Sequence, residues 1–442
     1  MARTVFAPAT APGRAGIAVV RVSGPAAEAA CRALTGKPPP PPRRAALRRI
    51  VDPASGEMLD SALVLWFAAP ASETGEDVLE LQLHGSPAVV AGVVEALASV
   101  PDCRLAEPGE FARRAFDNGK LDLTAVEGLA DLIAAETAAQ RRQAVRQLRG
   151  ELGRLYDGWR ATLVARLAHL EADIDFADED LPGDLAARSR AALEPLIAAM
   201  TAHLAAAPAG ERLRRGLDVA ILGAPNVGKS SLLNALARRD AAIVSARAGT
   251  TRDVVEIHLD LEGLPVTLAD TAGLRDSADD IEQEGVRRAL GRGAAADLAL
   301  IVLDATAATI PPPVRAQIDR AAILVVNKID VATGANLTLP EECESVRVSA
   351  KTGQGMPALI AALTARAAAA LASGGDPVPT RARHRAAVEE ARDCLVRAQA
   401  APLPELAAED VRLAVRALGR ITGRVDVEDI LDAIFREFCI GK

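Results

Sequence analysis

The octapeptide Gly223-Ala224-Pro225-Asn226-Val227-Gly228-Lys229-Ser230 fits the pattern G-x-x-x-x-G-K-[ST]. It stands between an apolar run, Leu217–Leu222, and a helix-like start at Ser231-Leu232-Leu233-Asn234. Strand, glycine-rich loop and helix in that order form a phosphate-binding loop. The glycines let backbone N–H groups curl round phosphates, and the helix N-terminus adds partial positive charge. Lys229 supplies a full charge, and the Ser230 hydroxyl suits Mg²⁺. The strand that feeds such a loop needs parallel neighbours. Val266–Ala269, Leu298–Leu303 and Ile323–Val326 supply short apolar runs separated by helix-like stretches, the pattern of a sheet covered by helices.

Further elements follow in an order that selects the nucleotide. Asp270-Thr271-Ala272-Gly273 ends a strand, placing a carboxylate within reach of Mg²⁺ through water and a flexible glycine near a γ-phosphate. Asn327-Lys328-Ile329-Asp330 ends another. An Asp there accepts both the ring N1–H and the exocyclic amine of guanine, a pair of donors that adenine lacks, so the motif favours GTP over ATP. Ser349-Ala350-Lys351 follows a short strand and resembles the loop that backs the base. Gly249-Thr250-Thr251-Arg252-Asp253 offers Thr251 as a second Mg²⁺ ligand on a loop that a γ-phosphate can order. The candidate GTP-binding set is Asn226, Val227, Gly228, Lys229, Ser230 and Ser231; Ser245, Ala246, Arg247, Ala248, Gly249, Thr250 and Thr251; Asp270, Thr271, Ala272 and Gly273; and Asn327, Lys328, Asp330, Ser349, Ala350 and Lys351. Where Ras-like GTPases carry a water-orienting Gln after DxxG, this chain has Leu274, which is apolar and cannot orient water. Glu282, in Asp279-Asp280-Ile281-Glu282, is the candidate catalytic residue. By spacing alone an acidic run is more usually a solvated face.

The chain has 442 residues, room for two to four domains at roughly 100–200 residues each. Half the residues are hydrophobic but only 2% are aromatic, which points to Ala- and Leu-rich helix packing. Residues 1–118 mix strand-like runs (Gly16–Val22, Ser61–Phe67, Val78–Leu83) with turns, and a proline run at Pro38 to Pro42 precedes Arg43 and Arg44 as a surface loop. From about 119 the pattern turns helical, with no proline from Ala125 to Asp173 and a further helix expected over roughly 185–207. The α/β block opens near 216. After the linker-like Ser373–Pro377 a helical pattern resumes, so the block reads as an insertion between two helical segments. No apolar run approaches the ~18 residues of a bilayer span, and the N-terminus does not read as a signal peptide, so a cytoplasmic, non-membrane protein is expected. Five scattered cysteines lack metal spacing and read as reduced thiols. A net charge of -8 gives no overall attraction for nucleic acid.

With these motifs assembled, the chain resembles the tRNA-modification GTPase family called MnmE or TrmE over essentially its whole length. Asn226, the Gly249–Asp253 loop, Leu274 and the terminal Phe438-Cys439-Ile440-Gly441-Lys442 carry part of the likeness. The rest lies in Ala9–Ile17, Thr74–Leu81, Glu107–Phe116, Asn118–Leu123 and Asp173–Phe176, which occur outside the motifs shared by all GTPases. The resemblance implies a multidomain α/β plus α protein. A β-containing folate-binding and dimerising domain would span 1–118, a split all-α helical domain 119–212 and 376–442, and an inserted Ras-like G domain 213–375. It implies K⁺-stimulated hydrolysis with Asn226, Ser245, Arg247 (through its carbonyl) and Thr250 as K⁺ ligands, and it aligns Glu282 with the family's water-orienting Glu. A tetrahydrofolate derivative (5-formyl or methylene) would be bound by Arg21, Glu80, Lys120 and Lys442; by residue type alone each is an ordinary surface charge. Two features depart from the family pattern: Leu83-His84-Gly85-Ser86-Pro87 is less glycine-rich, and the proline run is peculiar to this chain.

The resemblance further implies a homodimer formed through the N-terminal domain. It implies tRNA with a modified wobble uridine as the substrate, and a flavoprotein partner of the MnmG (GidA) type that alone carries FAD. Arg141, Arg142, Arg146 and Arg149 share one helical stretch and read either as a tRNA or partner contact or as a solvated face. Cys439 reads equally as a reactive thiol or as a packed one. Two other functional classes stay open: a ribosome-assembly switch without modification chemistry, and a GTPase timer on a folate-binding scaffold without RNA contact. No KH-type GxxG or S1-like strand set follows residue 352 to favour the first.

Overall fold

The computed structural model describes residues 3–175, 191–238, 242–243, 256–270, 296–319, 322–332, 337–372, 375–425, 431, 434, 435, 438 and 441. The chain divides into two compact units. The first draws on Met1–Ala130, Arg146–Ser189 and Arg397–Lys442, the second on Asp131–Val145 and Arg190–Val396.

The first unit is built on a six-stranded sheet of order β3-β4-β5-β2-β1-β6. Its strands are β1 (Thr4–Pro8), β2 (Ala15–Ser23), β3 (Ala46–Val51), β4 (Met58–Phe67), β5 (Val78–Gly85) and β6 (Cys103–Leu105). Alternation decides which face is which. Ala62, Val64 and Trp66 of β4 and Leu79, Leu81 and Leu83 of β5 turn inward, under the helices Ala27–Thr35 and Pro87–Ala98. On the opposite face, Val5 and Ala7 are covered by Phe111 and Ala106. Farther from β1 that face opens: Leu47 and Leu63, direct cross-strand partners, are 70% and 40% exposed.

The proline-free stretch beyond residue 120 is three helices, Leu123–Ala134, Ala138–Leu148 and Glu151–Asp175. Its breaks have local causes. Gln140 Oε1 accepts the N–H groups of Glu136 and Thr137 while Thr137 Oγ1 accepts the N–H of Gln140, a reciprocal N-terminal cap. Gly150, at φ +75°, separates the second helix from the third. The first two helices approach so closely that a Cβ on Gly128 would lie 2.5 Å from the N of Leu148. Helix Glu151–Asp175 packs along helix Pro404–Thr422, with Arg412–Glu171 and Arg424–Asp157 ion pairs of 2.8 and 2.7 Å on their flank.

The second unit carries a seven-stranded sheet of order β13-β12-β11-β7-β10-β9-β8. The strands are β7 (Leu217–Leu222), β8 (Ala242–Ile243), β9 (Glu256–Leu261), β10 (Leu264–Asp270), β11 (Leu298–Asp304), β12 (Ile323–Asn327) and β13 (Glu344–Arg347). The five strands from β13 to β10 run parallel, whereas β9 and β8 join antiparallel at one edge. Strand β12, one in from the β13 edge, is buried at every position, as a strand covered on both faces must be. Helices Lys229–Ala237 and Met356–Leu371 pack on one face of the sheet, and Ile310 and Val314 on the other. In β9 apolar Ile257, Leu259 and Leu261 alternate with Glu, His and Asp, and Leu259 and Leu261 are buried. It turns into β10 through Glu262 and Gly263, both at positive φ, as a two-residue hairpin loop requires.

The helix expected over roughly 185–207 is corrected: helix Glu194–Ala205 ends sooner, and a second helix, Ala207–Arg215, runs up to β7. Pro208 sits in the first turn of that second helix, where its missing N–H leaves no hydrogen bond unmade. Residues 176–190 lie outside the described residues. His203 and His384 are both buried in this unit. Among the described residues no helix is long and apolar enough to cross a membrane.

Candidate functional site

The loop after β7 is shaped by backbone that only small residues allow. Gly223 and Gly228 have φ of 144° and 97°, and Asn226 lies at 60°. A Cβ on Gly223 would stand 2.4 Å from the carbonyl oxygen of Val302, and one on Gly228 would stand 2.4 Å from Asn327 Nδ2. The loop is therefore pressed against β11 and β12. Helix Lys229–Ala237 starts at Gly228, whose carbonyl accepts the N–H of Leu232 at 2.9 Å, so the N–H groups of its first turn have no acceptor within the helix. Lys229 Nζ donates to the carbonyls of Gly223 and Ala224, both at 2.9 Å, placing the ammonium across the loop. A concave backbone, a helix N-terminus and an ammonium at its mouth fit a polyphosphate. Ser230, second in the helix, carries the hydroxyl suited to Mg²⁺. Asp270, the last residue of β10, pairs in register with Ile221, so both strands end at the same sheet edge.

Three loops are tied together beside this cradle. Buried Asn327 donates from Nδ2 to the carbonyl of Val227 at 2.9 Å and accepts the N–H of Ala350 at Oδ1 at 3.0 Å. Lys328, at φ 66°, donates from Nζ to the Asn226 carbonyl at 2.6 Å and to Asp304 Oδ2 at 2.7 Å. Ser349 Oγ donates to Asp330 Oδ1 at 2.7 Å and accepts the N–H of Thr352 at 3.1 Å. Asp330 is thus held by one oxygen. Exposed Lys351 follows at the loop's rim. Asp304 is a residue that sequence reasoning missed. Burial favours its protonated form, but hydrogen bonds from Lys328 and Thr306 outweigh that and hold its carboxyl below the usual range. The one available signal was an acidic residue closing an apolar strand.

Ser245, Ala246, Arg247, Ala248, Gly249, Thr250, Thr251, Thr271, Ala272, Gly273, Leu274 and Glu282 lie outside the described residues, as do Cys439 and Lys442. Of the arginines on the second helix of the helical stretch, Arg141 and Arg142 are exposed and Arg146 pairs with Glu151 at 2.7 Å. Arg149 follows the helix end.

In the first unit, Arg21 of β2 and Glu80 of β5 are direct cross-strand partners. Arg21 Nε reaches Glu80 Oε1 at 3.0 Å, and its Nη1 reaches Glu73 Oε2 at 2.6 Å. With side chains 15% and 17% exposed, Arg21 and Glu80 are not ordinary surface charges. Phe111 supports the guanidinium, its ring centroid 5.9 Å away. Glu80 lines a cavity of about 400 Å³ together with Phe67, Val78, Ser72 and Lys120. Lys120 Nζ donates to the carbonyl of Pro70 at 2.7 Å. The cavity thus gathers carboxylate, cation and aromatic surface, a donor set that fits a heterocycle bearing both amino groups and acids. Gly441 lies against β1: a Cβ there would fall 2.0 Å from the Pro8 carbonyl oxygen, and Pro8 pairs with Val20, the neighbour of Arg21.

Two families match the chain: "GTP-binding protein TrmE N-terminus" over residues 4–120 and "MnmE helical domain" over residues 123–439. A protein named tRNA modification GTPase MnmE from Paramagnetospirillum magneticum is 57% identical over 448 residues, covering 100% of each chain. Proteins of the same name from Parvibaculum lavamentivorans and Rhodospirillum rubrum are each 56% identical, covering 99% of this chain and 100% and 99% of their own. With its phosphate loop tied to the Asn327–Asp330 and Ser349–Lys351 loops, and so similar from end to end to these proteins, this chain belongs to the MnmE (TrmE) family of tRNA modification GTPases.

Proposed function

We propose that this protein hydrolyses GTP and uses the cycle, with a flavoprotein partner of the MnmG type that carries FAD, to build an aminomethyl or carboxymethylaminomethyl group at C5 of the wobble uridine of tRNA. The observation that carries the nucleotide half is the tie between Asp330, held by Ser349, and the phosphate loop, held by Asn327 and Lys328. Asp330 reads the guanine edge with both carboxylate oxygens, the bond from Ser349 to Oδ1 fixing the carboxylate while leaving each oxygen able to accept. Asn327 and Lys328 make the phosphate loop and the base loop one rigid piece, so base choice and phosphate position are coupled. Lys229 and the first-turn N–H groups take charge that moves toward the leaving phosphates. Ser230 and Thr251 would hold Mg²⁺, and Asn226, Ser245, Arg247 and Thr250 would hold K⁺; these ions supply positive charge where an arginine supplies it in other GTPases. Glu282 orients water in this reading.

The cavity beside Arg21, Glu80 and Lys120 is read as the site of a tetrahydrofolate one-carbon donor, with Lys442 arriving from the chain's C-terminal end. Glu80, oriented by Arg21, accepts donors from an amino-pyrimidinone edge, and Lys120 faces the ligand's acids. Leu47, Leu63, Leu65, Glu80 and Arg21 share one sheet face by register. The exposed leucines on that face support a homodimer formed there. The domain division at residues 118, 212 and 375 belongs to the same reading. It is supported by two helical stretches that the seven-stranded sheet interrupts in sequence.

The test is nucleoside mass spectrometry of total tRNA from cells lacking this protein. The carboxymethylaminomethyl nucleoside should disappear and return on complementation. Its persistence at normal levels would overturn the assignment.

A further inference from the structure

The cavity in the first unit is lined by two cations, Arg43 and Lys120, and two carboxylates, Glu73 and Glu80, and their pairing is uneven. Glu73 and Glu80 both bond to Arg21. Arg43 and Lys120 instead reach only carbonyls among the described residues: Arg43 Nη2 donates to Ala71 at 2.6 Å and Lys120 Nζ to Pro70 at 2.7 Å. Both side chains belong to exposed residues at the cavity's mouth. Two cations seated on consecutive carbonyls, with no carboxylate between them, leave positive charge directed at the opening.

Arg43 is also held with unusual specificity for an exposed residue. Its φ is +61°, a left-handed conformation that a residue with a Cβ adopts only at a cost. Its N–H donates to the carbonyl of Trp66 at 2.8 Å, and its guanidinium lies over the Phe67 ring, 5.6 Å from the centroid. The proline run Pro38–Pro42 leads directly into this position, and proline restricts the backbone of the approach. The run therefore forms the entry to a cavity wall rather than a loop without a task.

We infer that Arg43 is a specificity-determining residue that takes the glutamate carboxylates of the ligand's tail, with Lys120 beside it, while Arg21 and Glu80 face the ring system. This rests on the reading of the cavity as a folate site and extends it: Arg43 selects glutamylated ligand over the same ring and benzoyl group without glutamate. A planar guanidinium stacked on an aromatic ring keeps N–H donors free for a carboxylate, and Ala71 occupies only one of its nitrogens.

The experiment is calorimetry on the full chain with 5-formyltetrahydrofolate and with 5-formyltetrahydropteroate, which lacks the glutamate. Arg43→Gly removes the guanidinium while accepting the left-handed backbone, and Arg43→Lys keeps charge without the planar fork. Arg43→Gly should weaken the glutamylated ligand by about tenfold or more and leave the pteroate unchanged, with Arg43→Lys between. Equal affinity of wild type and Arg43→Gly for the glutamylated ligand would overturn the inference and leave the folate reading standing. A parallel loss on both ligands would likewise overturn it, assigning Arg43 to the ring or to the loop's fold. Failure of the wild type to bind either ligand would overturn the folate reading, and this inference with it.

Discussion

Lys328 Nζ and Asp304 Oδ2 form an ion pair of 2.7 Å, and the same ammonium reaches the Asn226 carbonyl, so an acid at the end of β11 steadies the phosphate loop from behind. Lys328 is a third exposed, which screens the pair. Asp304→Asn should lower GTP affinity by about fivefold and stability by no more than about 1 kcal/mol. Nucleotide titration and urea unfolding would measure both. Because the Asp304 carboxyl is held below its usual range, its contribution is full above the ordinary carboxylate pKa. It is lost as pH falls through the lowered value.

Gly228→Ala places a Cβ 2.4 Å from Asn327 Nδ2 at a backbone φ of 97°. The phosphate loop must shift away from the base loop or Asn327 must release the Val227 carbonyl. GTP affinity should fall by more than about tenfold, and the melting temperature by several degrees. Unchanged calorimetric binding would mean that the loop has slack that the close contact does not suggest.

Asp330→Asn exchanges a double acceptor for a group that presents a donor to the guanine edge. GTP should weaken by about 100-fold while xanthosine triphosphate gains. Competition binding with both nucleotides checks this, and an unaltered preference would place the base elsewhere.

Asn226 in the phosphate loop and Leu274 after DxxG motivate an expectation about turnover. Replacing Na⁺ by K⁺ should raise the GTPase rate by about tenfold or more. Glu282→Ala should lower kcat by about 100-fold with GTP affinity nearly intact. Equal rates in the two salts would refute the first expectation, and lost affinity in the variant would refute the second.

Burial, with His384 nearby adding to it, pushes the pKa of His203 down from 6.5 to about 4. The unfolded chain binds a proton there between those values and the folded chain does not. Stability should therefore be flat above pH 6.5 and decline below it, by up to about 1.4 kcal/mol per pH unit, until pH nears 4. Denaturant unfolding at pH 7 and pH 5 should show the decline in the wild type and a shallower one in His203→Leu.

What could be read from sequence depended on whether a signal was local. Leu217–Leu222 is a strand with the same ends in the structure, because a short run apolar and buried at every position but Asp218 suits a strand covered on both faces. Strand β9 shows no continuous apolar run, since Ile257, Leu259 and Leu261 alternate with Glu256, His258 and Asp260, one strand in from the β8 edge. The helix ending at Arg215 was missed because Pro208 reads as readily as the stop of one helix as it does as the first turn of the next. At the candidate nucleotide site the spacing of motifs singles out Lys229, Asn327 and Asp330 as candidates. Asp304 and Arg43 draw their significance from what folds against them, a lysine 24 residues away and a carbonyl 28 residues away. Such pairings have no signature in a single chain.

The long helix Glu151–Asp175 makes an ion pair through Glu171 with Arg412, a residue 241 positions later. During synthesis that helix emerges from the ribosome long before its packing partner, and waits while the whole stretch bearing the nucleotide motifs is translated. The later-made stretch can close on itself at once. The earlier helix stays incompletely covered until Pro404–Thr422 has been made, so a chain that stops near residue 400 would keep a foldable nucleotide-binding unit and also carry an exposed helical surface prone to aggregation.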